Sequence, residues 1–76
     1  MMEREIIRAM RSLVGKSVAV IFRDGTQLWG IVDVFPAGKN GKQYAIKTFK
    51  GKYYLLDSVN LSYIGKLECA PHEVQY

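Results

Sequence analysis

Two residue types that reinforce small domains are almost missing from this 76-residue chain, which has one cysteine, Cys69, and one histidine, His72. No disulfide can close within a single copy, and structural zinc lacks the paired Cys and His spacing it needs. No stretch approaches the roughly eighteen apolar residues of a membrane-spanning helix. Glu3, Arg4, Glu5, Arg8 and Arg11 break up the N-terminus before an apolar leader can form, so a soluble cytoplasmic protein is expected. Acidic residues are also in short supply, with seven Asp and Glu against eleven Lys and Arg, a net charge of +4.

These shortages bear on stability. A domain of this size buries only about 60% of the surface its unfolded chain exposes, and such cores are usually reinforced by disulfides, metals or oligomerisation. With the first two set aside, oligomerisation remains. A hydrophobic content of 49% suits it, being generous for a chain that must also cover its own surface.

Catalysis has little to stand on. His72 has only Glu73 beside it, and Cys69 has no histidine partner at a useful place. Asp33 and Asp57 could be drawn together, but no second acid-base group supports them. The segment GKNGK lacks the strand-loop-helix setting of a phosphate-cradling loop. The expectation is a protein that is not an enzyme and uses neither cofactor nor metal.

What is present is strong patterning. Met2, Ile6, Met10 and Leu13 recur at helical spacing, widened by Ile7 and Val14, and predict a helix over residues 2–13. Glu5 can pair with Arg8 on its surface, and Gly15 stands where a left-handed stop is expected. Val18, Val20 and Phe22 alternate with Ala19 and Ile21 in a first strand, residues 17–23. Asp24-Gly25 is a hairpin signal, and a second strand follows over 27–35, bent at Gly30 and ended by Pro36. After the loop AGKNGK come strands over 43–49, 52–56 and 59–64. The fold class is therefore mainly β, one domain over 1–76: an N-terminal helix, then a five-stranded, strongly bent sheet or small open barrel over about 17–65, with a tail over 66–76. If the fourth and last strands lie at the edges, pairing between copies follows.

Val14-Gly15, the alternation through Phe22, Asp24-Gly25, Gly30 and the apolar end near Phe35 together resemble the first half of the Sm/Lsm/Hfq superfamily. Asn60, Leu61, Tyr63 and Ile64 in LLDSVNLSYI look like its second half, so the likeness covers roughly residues 5–66. The resemblance implies an Sm-like barrel, related to the SH3-like ones, assembled with itself into a closed homo-oligomeric ring of six or seven subunits. The subunit contacts it implies fall on Tyr53, Tyr54, Leu55, Leu56, Leu61, Tyr63 and Ile64. It also implies binding of single-stranded RNA, but the family's RNA motifs are altered here. Pro36-Ala37-Gly38 follows Phe35 where the family carries an acidic residue and then a base-holding Asn, and Asn40 is at most a displaced counterpart. Asp57-Ser58 replaces the family's Arg-Gly pair, and the Tyr-Lys-His signature of the Hfq branch is missing.

The residues offer another route to RNA. Lys39, Lys42, Lys47, Lys50 and Lys52 fall within fourteen positions, interleaved with Tyr44, Phe49, Tyr53 and Tyr54. Lysines grip phosphates and aromatic rings stack on bases, which is the usual surface for single strands. Packing is the commoner fate of alternate aromatics in a strand, and hairpin lysines often only protect an edge. Candidate RNA contacts are Lys39, Asn40, Lys42, Lys47, Lys50, Lys52 and Tyr53, with Arg4 and Arg8 as a basic rim shared with Arg11. Trp29 could stack or anchor a partner, although barrel packing is its expected fate. The leading reading is a non-catalytic ring that binds single-stranded RNA through this basic and aromatic surface. The alternative is a scaffold that binds a protein partner, or only itself, with no nucleic acid.

Overall fold

The computed structural model describes residues 2–39 and 41–67, so the expectations for Asn40, Cys69, His72 and the tail beyond residue 67 lie outside the described residues. A helix, α1 (Glu3–Ser12), leads into five strands: β1 (Ser17–Phe22), β2 (Gln27–Ala37), β3 (Gly41–Thr48), β4 (Tyr53–Leu56) and β5 (Leu61–Lys66). They form one antiparallel sheet in the order β4-β3-β2-β1-β5. The sheet does not close on itself, and β4 and β5 are its edges. The expected helix and five-stranded bent sheet are what the structure shows.

The bend centres on Gly30. The first part of β2 pairs with β1 through Ile31, and the part from Gly30 onward pairs with β3. Gly30 belongs to both ladders, opposite Val18 on one side and Thr48 on the other. A Cβ at this position would run into the Lys47 backbone carbonyl, so only glycine permits the approach.

One side chain in two along each strand points to the concave face. Val18, Val20, Val32, Ile46, Leu56, Leu61 and Ile64 meet there, and α1 covers them with Ile6 and Met10. Ile7, Ala9 and Leu13 pack at the margin, whereas Met2 is exposed and adds nothing to the helix stripe expected of it. Glu5 turns back along the helix, where its carboxylate accepts the Met2 N–H at 2.9 Å and caps the first turn. Ser58, buried in the β4–β5 turn, donates its hydroxyl to Glu3 at 3.0 Å and ties the helix start to the sheet.

Several boundaries depart from the sequence expectation: β3 begins at Gly41 rather than 43, most other ends shift by one residue, and three differences have a visible physical cause. Strand β2 continues through Pro36 to Ala37, with Pro36 opposite Lys42. By that point β2 has no β1 partner, so the missing proline N–H leaves no ladder bond unmade. The last strand starts at Leu61 rather than 59, because Asp57 to Asn60 close a turn of their own. Asp57 Oδ1 accepts the Val59 N–H at 3.0 Å, and Asn60 Oδ1 accepts the Asp57 N–H at 3.2 Å. Gly65 then fails to end the strand, since the Tyr63 side chain lies over it and β5 runs on to Lys66.

The β1–β2 and β3–β4 hairpins are built alike. Phe22 N–H donates to Thr26 and Thr48 N–H to Lys52, each at 2.8 Å, and Gly25 and Gly51 donate back to Phe22 and Thr48 at 2.9 Å. Both glycines hold positive φ, +94° and +87°. In the first hairpin Asp24 Oδ1 also accepts the Thr26 N–H at 2.9 Å. The Thr26 backbone and hydroxyl together hold the Asp24 carboxyl below its ordinary value.

Gly30→Ala should cost about 1–3 kcal/mol, the range for forcing extra volume into a filled site, read from urea unfolding. Gly25→Ala faces open space and only the left-handed strain, so a loss of about 1–2 kcal/mol is expected. A depressed carboxyl stabilises above its unfolded value and loses that contribution as pH falls through the folded one. Asp24→Ala should therefore lower the melting temperature at pH 7, and its gap from the parent chain should shrink below the ordinary carboxylate range. An equal gap at pH 7 and pH 2 would exclude the ionised carboxylate as the cause.

Candidate nucleic-acid interface

Charges of the two signs are used differently. All five described carboxylates accept a hydrogen bond from a neutral neighbour: Glu3 from Ser58, Glu5 from Met2, Asp24 from Thr26, Asp33 from Val34 and Asp57 from Val59. Asp33 and Asp57 thus serve their own backbone, and no group able to hold a metal occurs among the described residues. Two cations have partners. Arg23 Nε donates to the Val59 carbonyl at 2.6 Å, and Lys47 Nζ stands 5.7 Å from the Tyr53 ring centroid. The other described Lys and Arg side chains are exposed and leave a positive surface that no carboxylate among the described residues neutralises.

That surface is not one belt. Eight residues of β3 separate the two ends of the lysine run, roughly 25 Å at the rise of a strand. Lys39 and Lys42 lie at the β2–β3 end, with Lys47, Lys50 and Lys52 toward the β3–β4 end. Arg4 and Arg8 are exposed on α1 and line neither the groove at the β3–β4 end nor a site with these lysines among the described residues.

The β3–β4 end gathers the aromatic residues. A groove of about 380 Å³ is lined by Trp29, Thr48, Phe49, Lys50, Lys52 and Tyr54, with Gln27 and Leu28 completing it. Trp29 is 44% exposed, not packed inside the barrel, because it alternates with inward-facing Leu28 and Gly30. Phe49 and Tyr54 are exposed to a similar degree, whereas Tyr44 packs against the core. Tyr53 faces the opposite side of β4 from Tyr54. It meets Phe35 edge to face, with centroids 5.6 Å apart and planes at 71°, beneath the Lys47 ammonium. No acidic residue among the described ones lines the groove.

The expected subunit contacts divide into exposed and buried residues. Tyr53, Tyr54, Leu55 and Tyr63 are exposed, Leu55 at 62%, and lie on the two edge strands. Leu56, Leu61 and Ile64 are buried in the chain's own core, so their side chains are not free for a contact between copies. Gln27 and Thr48, which wall the groove, carry no sequence signal. They are recognisable only once the two hairpins are side by side.

No helix among the described residues is long and apolar enough to cross a membrane. The chain has no match to a protein-family model, a curated protein or a solved structure.

Because Lys50 and Lys52 are exposed and their side chains hold no partner among the described residues, reversing each to Glu should change unfolding free energy by no more than about 0.5 kcal/mol. A urea titration checks this, and a larger loss would show that these lysines support the hairpin.

Proposed function

We propose that this chain is a non-catalytic module that binds single-stranded RNA at the β3–β4 end of its sheet. One observation carries the reading: Trp29, Phe49 and Tyr54 leave ring surface open in the same groove that Lys50 and Lys52 flank. Bases stack on exposed rings without regard to sequence, and lysines hold the phosphates between them. Lys47 and Tyr53 extend the positive and aromatic surface across the adjoining face.

Assembly belongs to the same proposal. β4 and β5 present unpaired edges, and exposed Tyr53, Leu55 and Tyr63 stand on them. An Sm-like ring closed through these edges would repeat the groove once per subunit and multiply weak contacts. The apolar Phe35–Tyr53–Leu55 surface favours a second reading, in which self-assembly or a protein partner is the whole purpose of the fold.

Fluorescence anisotropy against short U-rich and A-rich RNAs at two salt concentrations decides between them. Binding should fall as salt rises, since phosphate contacts release counterions. Trp29→Ala should weaken it by about five-fold or more, the lower end of a stacking contribution of about 1–3 kcal/mol. The Lys50→Glu, Lys52→Glu double variant should weaken it further without altering sedimentation. No binding at low salt would overturn the RNA reading and leave the assembly surface as the function, while a chain that stays monomeric at micromolar concentration would exclude the ring.

A further inference from the structure

A second concave site lies toward the other end of β3. It is a half-open depression of about 790 Å³ between the end of α1 and the start of the β2–β3 hairpin, lined by Arg11, Val14, Val34, Gly41, Lys42 and Tyr44. Two cations from elements distant in sequence converge here, Arg11 from the last turn of the helix and Lys42 from β3. No acidic residue among the described ones lines the cavity. The nearest acid in sequence, Asp33, accepts its hydrogen bond from the Val34 amide at 2.9 Å. Among the described residues neither cation is neutralised.

The rest of the lining is apolar or flat. Val14 and Val34 offer aliphatic surface, and Tyr44 is half-buried against the core, which fixes its ring. Gly41 adds only backbone to the lining, and a Cβ there would meet the Ala37 carbonyl. A bare anion would have no use for such walls, and a purely apolar ligand would leave two guanidinium and ammonium groups without a counter-charge. A planar ring carrying one phosphate uses both halves. Pockets for ligands of this size span about 300–1,000 Å³ and combine apolar walls with a few placed polar groups.

We propose that this cavity binds a nucleoside monophosphate, with the base against Val14, Val34 and Tyr44 and the phosphate between Arg11 and Lys42. The nucleotide is either free or the 5′-terminal residue of a strand, and the two share this chemistry. Arginine supplies a fork of donors suited to phosphate oxygens, while lysine acts as a point charge. The site is independent of the β3–β4 groove: it shares no residue with it and does not depend on that groove binding RNA.

The test is a titration of the full chain with AMP and UMP, followed by amide chemical shifts in NMR, beside adenosine, uridine and inorganic phosphate. Shifts should concentrate at Val14, Val34, Gly41 and Tyr44, with nucleosides and phosphate each binding at least about tenfold more weakly than the nucleotides. Arg11→Glu and Lys42→Glu should each remove binding, Arg11→Lys should restore part of it, and Lys50→Glu with Lys52→Glu should leave it intact. Amide spectra of the variants establish that they remain folded. Short RNAs with a 5′-phosphate or a 5′-hydroxyl then separate the two sources of the ligand. Equal binding of phosphate and AMP, or shifts at the β3–β4 groove in place of these residues, would overturn the proposal. So would retention of AMP by folded Arg11→Glu and Lys42→Glu chains.

Discussion

Everything in this fold follows from how closely β2 can approach β3 at Gly30. A side chain there would meet the Lys47 carbonyl, so the glycine sets both the spacing of the two strands and the point where β2 passes from one partner to the other. The resulting bend makes the concave face on which α1 lies. The same bend brings Trp29 beside the tip of the β3–β4 hairpin and carries Phe35 across to Tyr53. Core and surface are therefore shaped by a single contact between two backbones.

Much of the architecture was legible in the residues. Helical spacing of Ile6 and Met10, alternation in β1 and the Asp24-Gly25 turn are local signals, and local signals survive folding because tertiary packing agrees with them. The errors have a common physical origin. Pro36 ends a strand only where its N–H has a partner to lose, and β2 has none on that side by Ala37. The start of β5 is set by the turn that the Asp57 N–H closes onto the Asn60 side chain and the Asn60 N–H closes back onto the Asp57 carbonyl, which a pattern of apolar residues does not reveal. Trp29 looked like core because large aromatics usually are. Its direction depends on alternation about Gly30, and that places it outside.

The candidate sites were less legible for a related reason. Five lysines in fourteen residues suggest one patch, but a strand is an extended object and carries its two ends far apart. Lys42 joins Arg11, thirty-one positions earlier in the chain, while Lys50 and Lys52 join Trp29. Sequence proximity overstated one grouping and hid the other. Likewise, seven residues of β4 and β5 are expected at subunit contacts, and three of them, Leu56, Leu61 and Ile64, turn into the chain's own core.

The carboxylates described above have a consequence for how this molecule responds to ions. Each is held by a backbone amide or a hydroxyl, so its hold on the fold does not rely on a nearby ammonium or guanidinium group. What added electrolyte chiefly acts on is the mutual repulsion of a chain carrying +4 overall. Screening that repulsion relaxes the folded state even as it loosens any grip on a polyanion. Folding and polyanion binding thus answer to ionic strength with opposite sign, and a change in one is not a proxy for a change in the other.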